Sequence, residues 1–408
     1  MSWRHRAAAP LVALIGLAGG GAAYVVSSAT SASAVTPVTT ESEFRDAWAN
    51  DADVVLGADI NLTCFEKSDP GGSEAVRDLA GEGTLDGQGF TITQTCPETR
   101  VLQITGETGH MTISNVTITG GQAVFGTFSG NGGGGIQVTE ENGLTVVDSS
   151  ISGNATCEGG GGIEMDYSGE LTIDGSTFAN NFADEGGGVA NYGDTVSVLN
   201  STFTGNSSVG AAGGIWAEGD LTLVYATVTQ NSVGVDVPLN CDQIESTDGH
   251  PHAAAVDGAD NIEVDGTFHA FGNIVAQPGG GNDNCFIESS DSSGYNFSDD
   301  DTCGFDASTD SVSPTNAPNL GPLTNNGGPT PTLLPLTGSP VIDAIPHVNC
   351  GDGDALVQTT VLSDQRDFAR PEVAGGNCDI GAVEVQAATP TPTPEPAPAA
   401  VVQPKFTG

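Results

Sequence analysis

The sequence predicts an all-β fold, a parallel β-helix in which each turn of a solenoid is one coil of short strands. The first observation is an internal repeat, whose four aligned copies end in Asn at intervals of 27, 25 and 25 residues. The copies are residues 144–154, 171–181, 196–206 and 221–231. Repeats of this length are typical of solenoids, in which each copy packs on the next.

The second observation is the residue pattern within each copy. Apolar and polar residues alternate, Thr, Val and Ile are frequent, and no stripe of 3.6-residue period is present. This pattern indicates strands, and the period has room for about three short strands with their turns. The Leu-x-x-Leu-x-Leu ladder of leucine-rich repeats is absent, so a β-helix is the better interpretation.

The third observation is a glycine run between copies, followed by Ile or Val. The runs occupy residues 132–136, 159–163, 186–189 and 213–215. Glycine permits the tight turns that need positive φ. The 58 glycines and the low aromatic content of 6% also disfavour a helical bundle.

Coils about 4.8 Å apart would place equivalent residues directly above one another. Two apolar columns are then expected to point inwards: Ile151, Phe178, Phe203 and Val228, and Ile136, Ile163, Val189 and Ile215. The recurring asparagines predict a ladder of side-chain amides bonded from coil to coil. Its members are Asn154, Asn181, Asn206 and Asn231. The repeats are assigned to residues 79–284, with about eight coils in all.

Other segments frame this stack. Residues 35–78 are predicted to form an N-terminal cap, with a short helix inside residues 39–50 that covers the open edge of the first coil. Residues 285–386 are rich in Gly, Ser, Asp and Pro and predict a C-terminal β/loop region stapled by disulfides. Residues 387–408 are rich in Pro and Thr, which predicts a disordered tail.

Residues 1–34 have the pattern of a secretory signal peptide. Arg4 and Arg6 precede an apolar run, and Ala32, Ser33 and Ala34 form a cleavage site of small residues. We therefore expect a secreted, extracellular or cell-surface protein. No later stretch is apolar enough to span a bilayer, so no membrane span is expected in the mature chain.

Export gives the eight cysteines a structural meaning. Their number is even and no CxxC pair is present, which favours disulfides over a zinc site or thiol exchange. Eight cysteines permit 105 pairings. Proximity in the sequence favours Cys64–Cys96, Cys285–Cys303 and Cys350–Cys378, and leaves Cys157–Cys241 as the remaining pair.

The charge balance excludes several functions. Nine Lys and Arg against 52 Asp and Glu give a net charge of −43, which disfavours nucleic acids and anionic membranes as partners. Lys and Arg are absent from residues 101–365, so the cationic base of a polysaccharide lyase is not expected in the stack. GxSxG, HExxH and Walker motifs are also absent.

A glycosidase would need two carboxylates about 5–5.5 or 6.5–9.5 Å apart. The carboxylates available in the repeats are Asp148, Glu164, Asp166, Asp174 and Asp184. They occupy no matched position in successive copies, which favours solvated loop residues. The sequence therefore predicts no catalytic residue and no cofactor-binding residue.

Calcium is the one ion that the sequence favours, because hard oxygen donors gather in turn-rich stretches without nearby lysine. The candidate ligands are Asp283, Asp299, Asp300 and Asp301. His250 and His252 flank one proline in an acidic loop, and solvation of both is favoured over binding of a transition metal. Arg366 and Arg370 are isolated among acids and are expected to pair with Asp343, Asp364 or Asp379.

Two resemblances extend this interpretation. The alternation of Gly161-Gly162-Ile163 with Phe178-Ala-Asn-Asn181 resembles the repeat of polymorphic outer membrane proteins, which are surface β-helices linked to adhesion. The C-terminal motifs occupy residues 319–323, 326–332, 338–343, 364–371 and 378–384. Together they are similar to bacterial right-handed β-helix proteins with a choice-of-anchor Q domain, although Asp367 stands where that family usually has Gly. The resemblance implies a right-handed, exported protein.

The function expected from these observations is adhesion, binding or cell-envelope structure without catalysis. The expected partner is an extracellular glycan or a cell-surface protein. The alternative is a carbohydrate-active β-helix, either a polysaccharide hydrolase or a lyase-like enzyme.

Overall fold

The computed structural model describes residues 35–50, 52–65, 73–124, 132–167, 169–234, 258–315, 317–358 and 361–386. The predicted signal peptide and disordered tail lie outside the described residues, as do Cys241, His250 and His252. Among the described residues, no helix has the length and apolarity that a membrane crossing needs.

Strands from successive coils form three parallel sheets. The strands are numbered in chain order. The first sheet contains β1 (Val54–Val55), β3 (Ala75–Asp86), β5 (Leu102–Ser114), β8 (Ile136–Val138), β9 (Glu141–Val147), β12 (Ile163–Met165), β13 (Glu170–Asp174), β16 (Val189–Asn191), β17 (Thr195–Leu199), β20 (Ile215–Ala217), β21 (Asp220–Val224), β24 (Ile262–Phe271) and β26 (Cys285–Gly294). The second sheet contains β2 (Ile60–Leu62), β4 (Thr91–Gln94), β6 (Thr117–Thr119), β10 (Ser150–Ser152), β14 (Thr177–Ala179), β18 (Thr202–Thr204), β22 (Thr227–Thr229), β25 (Ile274–Ala276), β27 (Phe297–Ser298) and β28 (Ser311–Val312).

The remaining elements are shorter. The third sheet contains β7 (Gln122–Ala123), β11 (Ala155–Thr156), β15 (Phe182–Glu185), β19 (Ser207–Ala211) and β23 (Ser232–Val233). The other elements are the helices α1 (Glu41–Ala49) and α2 (Asp354–Val357), a 3₁₀ helix (His347–Asn349) and an antiparallel hairpin of β29 (Leu320–Thr324) and β30 (Thr332–Pro335).

The predicted parallel β-helix is confirmed, and so are both inward columns. In the second sheet, Ile151 pairs with Phe178, Phe178 with Phe203, and Phe203 with Val228. The two phenylalanine rings stack with centroids 4.6 Å apart, and all four side chains are fully buried. The column from Ile136 to Ile215 is in register in the first sheet in the same way. Burial of these columns supplies the main apolar stabilisation of the stack.

The stack is longer than the predicted residues 79–284. Parallel pairing begins at Val54 and continues to Val312 in the last strand of the second sheet. The late coils lack the repeated glycine run and the apolar alternation, and β26 is half exposed along its length. Their core comes from isolated side chains such as Phe297 and Phe305, which carry no repeat signal.

The predicted cap helix is present as α1. Thr40 accepts a hydrogen bond from the Glu43 backbone N–H, and the Glu43 side chain accepts one from the Thr40 N–H. This capping box satisfies two backbone donors that the first helical turn leaves free. Phe44 and Trp48 are fully buried, and Trp48 Nε1 donates to the Ala75 carbonyl at 3.1 Å. The helix therefore closes the first coil.

The first part of the predicted C-terminal region, through β28, belongs to the stack. Residues 319–386, called the flank region below, instead fold back along the side of the stack. Thr177 Oγ1 donates to the Pro331 carbonyl at 2.6 Å, and Thr202 Oγ1 donates to Gln365 Oε1 at 2.6 Å. Both threonines begin strands of the second sheet, and both are fully buried. The flank region thus covers the face of the second sheet that would otherwise meet solvent.

Disulfides fasten both ends and the flank. The structure contains the bonds Cys64–Cys96, Cys285–Cys303 and Cys350–Cys378. Cys157 is also disulfide-bonded, and its predicted partner Cys241 lies outside the described residues. Closing such loops stabilises the fold by restricting the unfolded chain.

Candidate functional site

The asparagine ladder is a buried row at the turn between the second and third sheets. Asn154 Nδ2 donates to Asn181 Oδ1 at 3.2 Å, Asn181 to Asn206 at 2.9 Å, and Asn206 to Asn231 at 2.9 Å. Each Nδ2 also donates to a backbone carbonyl of the preceding coil; for Asn206 this is Phe178, at 2.9 Å. The amide geometry makes the ladder a structural element of the core.

The ladder continues beyond the four asparagines that the repeat predicts. Asn231 Nδ2 donates to Asn261 Oδ1 at 2.9 Å, and Asn261 Nδ2 to Asn284 Oδ1 at 2.7 Å. Asn284 Nδ2 then donates to carboxylates of Asp299 at 2.7 Å and Asp300 at 2.8 Å. All the side-chain amides of the ladder donate in the same direction along the stack. An ionised carboxylate can only accept hydrogen bonds, so it satisfies the last amide donor of the ladder.

This arrangement defines the role of two predicted calcium ligands. Asp299 and Asp300 accept the last ladder bonds, whereas Asp283 and Asp301 are exposed. Within the part of the chain that is described, no three His, Cys, Asp or Glu side chains are gathered where they could hold a metal ion. Calcium binding by these four residues stays a prediction.

The isolated arginines hold the flank region together. Arg366 forms a buried ion pair with Asp364, with Nη2 and Oδ2 2.7 Å apart, as one of the predicted pairings requires. Arg370 instead lies 3.5 Å from Glu384, a partner that sequence proximity did not suggest. Its Nη1 also donates to the backbone carbonyl of Asp379 at 2.8 Å.

A row of side chains on the outer face of the first sheet combines amides, carboxylates and an aromatic ring. This row is the best candidate for a ligand-binding site. The three-residue strands direct their first and third side chains into the core and the middle one outwards, because side chains alternate along a strand. We call the resulting register column the outward row; its members are Gln103, Gln137, Glu164, Ala190, Trp216 and Glu263. The outward row covers six coils, and the same register continues to Val76 at one end and to Phe286 at the other.

The first half of the outward row is a chain of amide donors ending on a carboxylate. Gln103 Nε2 donates to Gln137 Oε1 at 2.8 Å, and Gln137 Nε2 donates to Glu164 Oε2 at 2.8 Å. Glu164 is only 3% exposed, and a Cβ at Gly132 would overlap its carboxylate. Burial, followed by repulsion from Asp166, raises the pKa of Glu164 to about 8.

The expectation that no cationic side chain lies in the stack is wrong. Arg100, one residue before the stretch that lacks Lys and Arg, is buried and interacts electrostatically with Glu164. Burial lowers the pKa of Arg100, while Glu74 and Glu164 oppose that effect. Its burial removes it from the surface that a polysaccharide could reach, so its position suits charge balance rather than proton abstraction.

The raised pKa of Glu164 predicts a pH-dependent stability. The folded-state pKa exceeds the ordinary value of 4.5, so the folded protein binds the proton more tightly and loses stability as the pH rises towards and through about 8. Glu164→Gln stays neutral and is expected to flatten the fall of Tm between pH 5 and pH 9. Thermal unfolding at a series of pH values checks this, with the exposed Glu170→Gln as a control. An unchanged slope in Glu164→Gln would contradict it.

The second half of the outward row presents an aromatic pair. The rings of Tyr192 and Trp216 lie with centroids 4.6 Å apart at 54°, and Trp216 packs against Ala190 and Ala212. Tyr192 Oη donates to Glu185 Oε2 at 3.2 Å. Trp216 is 9% exposed and Tyr192 is partly exposed, so the pair presents an apolar edge held by polar neighbours.

Glu263 lies next to Trp216 in the register of the outward row. Burial, followed by repulsion from Asp265 and Glu185, raises its pKa to about 7. Its Oε2 is buried and accepts no hydrogen bond from the described residues. An acceptor in this state is costly unless a donor satisfies it. The carboxylate also interacts with the backbone N–H groups of Ala212 and Ala259, so a ligand hydroxyl reaches Oε2 only if the side chain turns outwards.

A cleft lies on the same sheet, lined by other residues than the aromatic pair. It has a volume of about 440 Å³, and its lining includes Glu141, Glu170 and Asp194. His110 also lines it and bonds through Nε2 to Thr145 Oγ1 at 2.8 Å. The cleft therefore offers three carboxylate acceptors, of which Asp194 follows Tyr192 by two positions in the chain.

The parallel coils define a right-handed β-helix protein. Residues 91–233, which span β4 to β23, match a family model described as right handed beta helix region. No curated protein and no solved structure matches the chain. The finer resemblances, to polymorphic outer membrane proteins and to choice-of-anchor Q proteins, stay predictions.

Proposed function

We propose that this chain is an extracellular binding protein that holds a neutral glycan along the outer face of its first sheet. The observation that carries the proposal is the Tyr192–Trp216 pair, whose Tyr192 ring is partly exposed, together with the partly exposed Glu263, which is next to Trp216 in the register. Sugars present C–H faces that pack on aromatic rings and hydroxyls that donate to carboxylates. The disulfides among the described residues are compatible with export. The predicted signal peptide supports the extracellular location in this proposal.

Charge favours a neutral ligand over an acidic one. The chain carries a net charge of −43, and the cleft on the first sheet is lined by three carboxylates. A polyuronate or sulfated glycan would meet like charge both over the whole surface and at the site. Hydroxyl groups of a neutral chain would instead supply the donors that these oxygens can accept.

Geometry favours binding over cleavage by the two glutamates of the outward row. Glu164 and Glu263 are three coils apart in the outward row, which is about 14 Å at about 4.8 Å per coil. That separation exceeds the range of both glycosidase mechanisms. Glu164 is also covered, so it has no access to a glycosidic oxygen.

Removal of the Tyr192 ring is expected to weaken glycan binding at least about tenfold, or about 1.4 kcal/mol. Affinity electrophoresis in gels containing neutral or acidic polysaccharides measures this directly. Tyr192→Ala should migrate faster than wild type in the neutral gels, whereas Tyr192→Phe, which keeps the ring, should be retarded. Phe65→Ala is the matched control, because Phe65 is an exposed aromatic residue near the N-terminal end of the stack.

Equal retardation of wild type and Tyr192→Ala in every neutral gel would contradict the proposal. Stronger retardation of wild type by a polyuronate than by neutral glycans would contradict the charge argument. A Glu263→Gln variant separates the two contacts, since it keeps the aromatic pair and removes the carboxylate acceptor.

A second candidate function is hydrolysis by Glu263 and Asp265. These residues are two positions apart on β24 and lie on the same face, with Cα atoms about 6–7 Å apart. Rotation of both side chains can bring their carboxyl groups to the separation of about 6.5–9.5 Å that an inverting glycosidase needs. A pKa of about 7 suits Glu263 as the acid. Release of reducing ends by wild type, lost in both Glu263→Gln and Asp265→Asn, would establish hydrolysis; its absence supports binding alone.

A further inference from the structure

Two further aromatic side chains lie on either side of the Tyr192–Trp216 pair. Tyr167 follows β12 and is 56% exposed. Its carbonyl lies against Gly193, the residue after Tyr192, so Tyr167 is one coil before the pair. In the other direction, Phe286 on β26 is 52% exposed and is in register with Glu263. The pair is therefore the centre of a longer series.

We call this series the aromatic track; its members are Tyr167, Tyr192, Trp216 and Phe286. The first three come from consecutive coils, those of β12, β16 and β20. Phe286 is two coils beyond Trp216, and the coil between them carries Glu263. Four coil steps separate Tyr167 from Phe286, which is about 19 Å along the stack.

The two outer rings are not needed for packing. Among the described residues, neither Tyr167 nor Phe286 belongs to an apolar core cluster. An exposed aromatic ring can gain apolar contact when a ligand covers it. Rings that are exposed in line with the pair therefore extend the surface on which a ligand can pack.

A pocket at Phe286 supplies an independent observation. It has a volume of about 350 Å³, and its lining includes Phe286, Asn282 and Asp283. Ligand-binding clefts have volumes of about 300–1,000 Å³ and combine aromatic walls with a few polar groups. Asp283 is exposed, so its carboxylate can accept a bond from a ligand hydroxyl. The track thus ends in a concave site with both types of contact.

We propose that the glycan site is an extended one, in which an unbranched neutral oligosaccharide lies along the stack. Its sugar rings pack on Tyr167, on the Tyr192–Trp216 pair and on Phe286. This inference rests on the proposed function and adds the length and direction of the ligand. One sugar ring of an extended chain is about as long as one coil step. A hexasaccharide would therefore cover the whole track, whereas a disaccharide would cover only its centre.

The test is calorimetric titration with cellohexaose, laminarihexaose and mannohexaose, each compared with its disaccharide. Wild type is expected to bind at least one hexasaccharide at least about tenfold more tightly than the matching disaccharide. Tyr167→Ala and Phe286→Ala should each lose about threefold to tenfold in affinity for that hexasaccharide. Both should bind the disaccharide as wild type does. Tyr167→Phe and Phe286→Tyr, which keep the rings, should retain hexasaccharide binding.

The matched control is Phe65→Ala, because Phe65 is an exposed aromatic residue that follows β2 of the second sheet. It should bind the hexasaccharide as wild type does, and an unchanged Tm in all the variants shows that they fold. Wild-type affinity in either Tyr167→Ala or Phe286→Ala, with weakened binding in Tyr192→Ala, would overturn the extended site and leave the proposed function standing. Binding of none of these sugars by wild type would contradict both.

Discussion

Asn206→Ala is expected to lower the free energy of unfolding by about 3–5 kcal/mol, since it orphans several buried polar groups that cost about 1–3 kcal/mol each. Asn206 Nδ2 donates to Asn231 Oδ1 and to the Phe178 carbonyl. Its Oδ1 accepts from both the backbone N–H and the side-chain Nδ2 of Asn181. Alanine removes all four bonds in the middle of the stack, where water cannot replace them.

Thermal and urea unfolding measure this loss, with amide hydrogen exchange at residues 178–206 as a local readout. Hydrogen exchange is needed because repeat arrays can open locally rather than all at once. The control is Asn180→Gly, since Asn180 is exposed and has φ of +56°, which glycine adopts freely. Equal Tm losses in the two variants would show that the ladder contributes no special stability.

The second large effect is expected for Arg366→Met, which should cost about 3–5 kcal/mol. The Asp364 side chain is fully inaccessible to solvent. The substitution therefore leaves a buried carboxylate without its cation. Asp364 would keep its bonds from backbone N–H groups, including that of Glu384 at 2.9 Å, but not charge neutrality. The flank region should then detach from the second sheet.

Limited proteolysis checks this result, because detachment should expose sites in residues 319–386 before the coils are cut. The double variant Arg366→Met with Asp364→Asn removes the stranded charge and should recover part of the lost stability. A single variant as resistant as wild type, in both Tm and proteolysis, would show that the ion pair does not hold the flank.

Repetition made the centre of the molecule predictable. Equivalent residues lie about 4.8 Å apart in successive coils, so a pattern repeated in sequence becomes a column in space. The register of Ile151, Phe178 and Phe203 follows that rule. Ser149, Ser176 and Ser201 form a second row, in which each Oγ accepts a backbone N–H from the preceding coil. The aligned copies contained that signal too.

The outward row was harder to predict from the sequence, because its members do not repeat. Its position between two inward residues could be identified from the alternation, but its members Gln137, Glu164, Ala190 and Trp216 share no chemistry. Only coil spacing brings Trp216 beside Tyr192 and Glu263. A column of unlike residues carries no repeat signal, although a site needs that diversity.

By itself, the sequence determined the solenoid, its inward columns and the capping helix, because each depends on contacts between neighbouring coils or neighbouring residues. Only the tertiary structure decided that residues 319–386 fold back on the second sheet, through contacts such as Thr202 with Gln365 across 163 positions. It also decided which carboxylates are buried and therefore which pKa values rise. Burial depends on what packs over a residue, and for Glu164 the covering segment at Gly132 lies in another coil, 32 positions away.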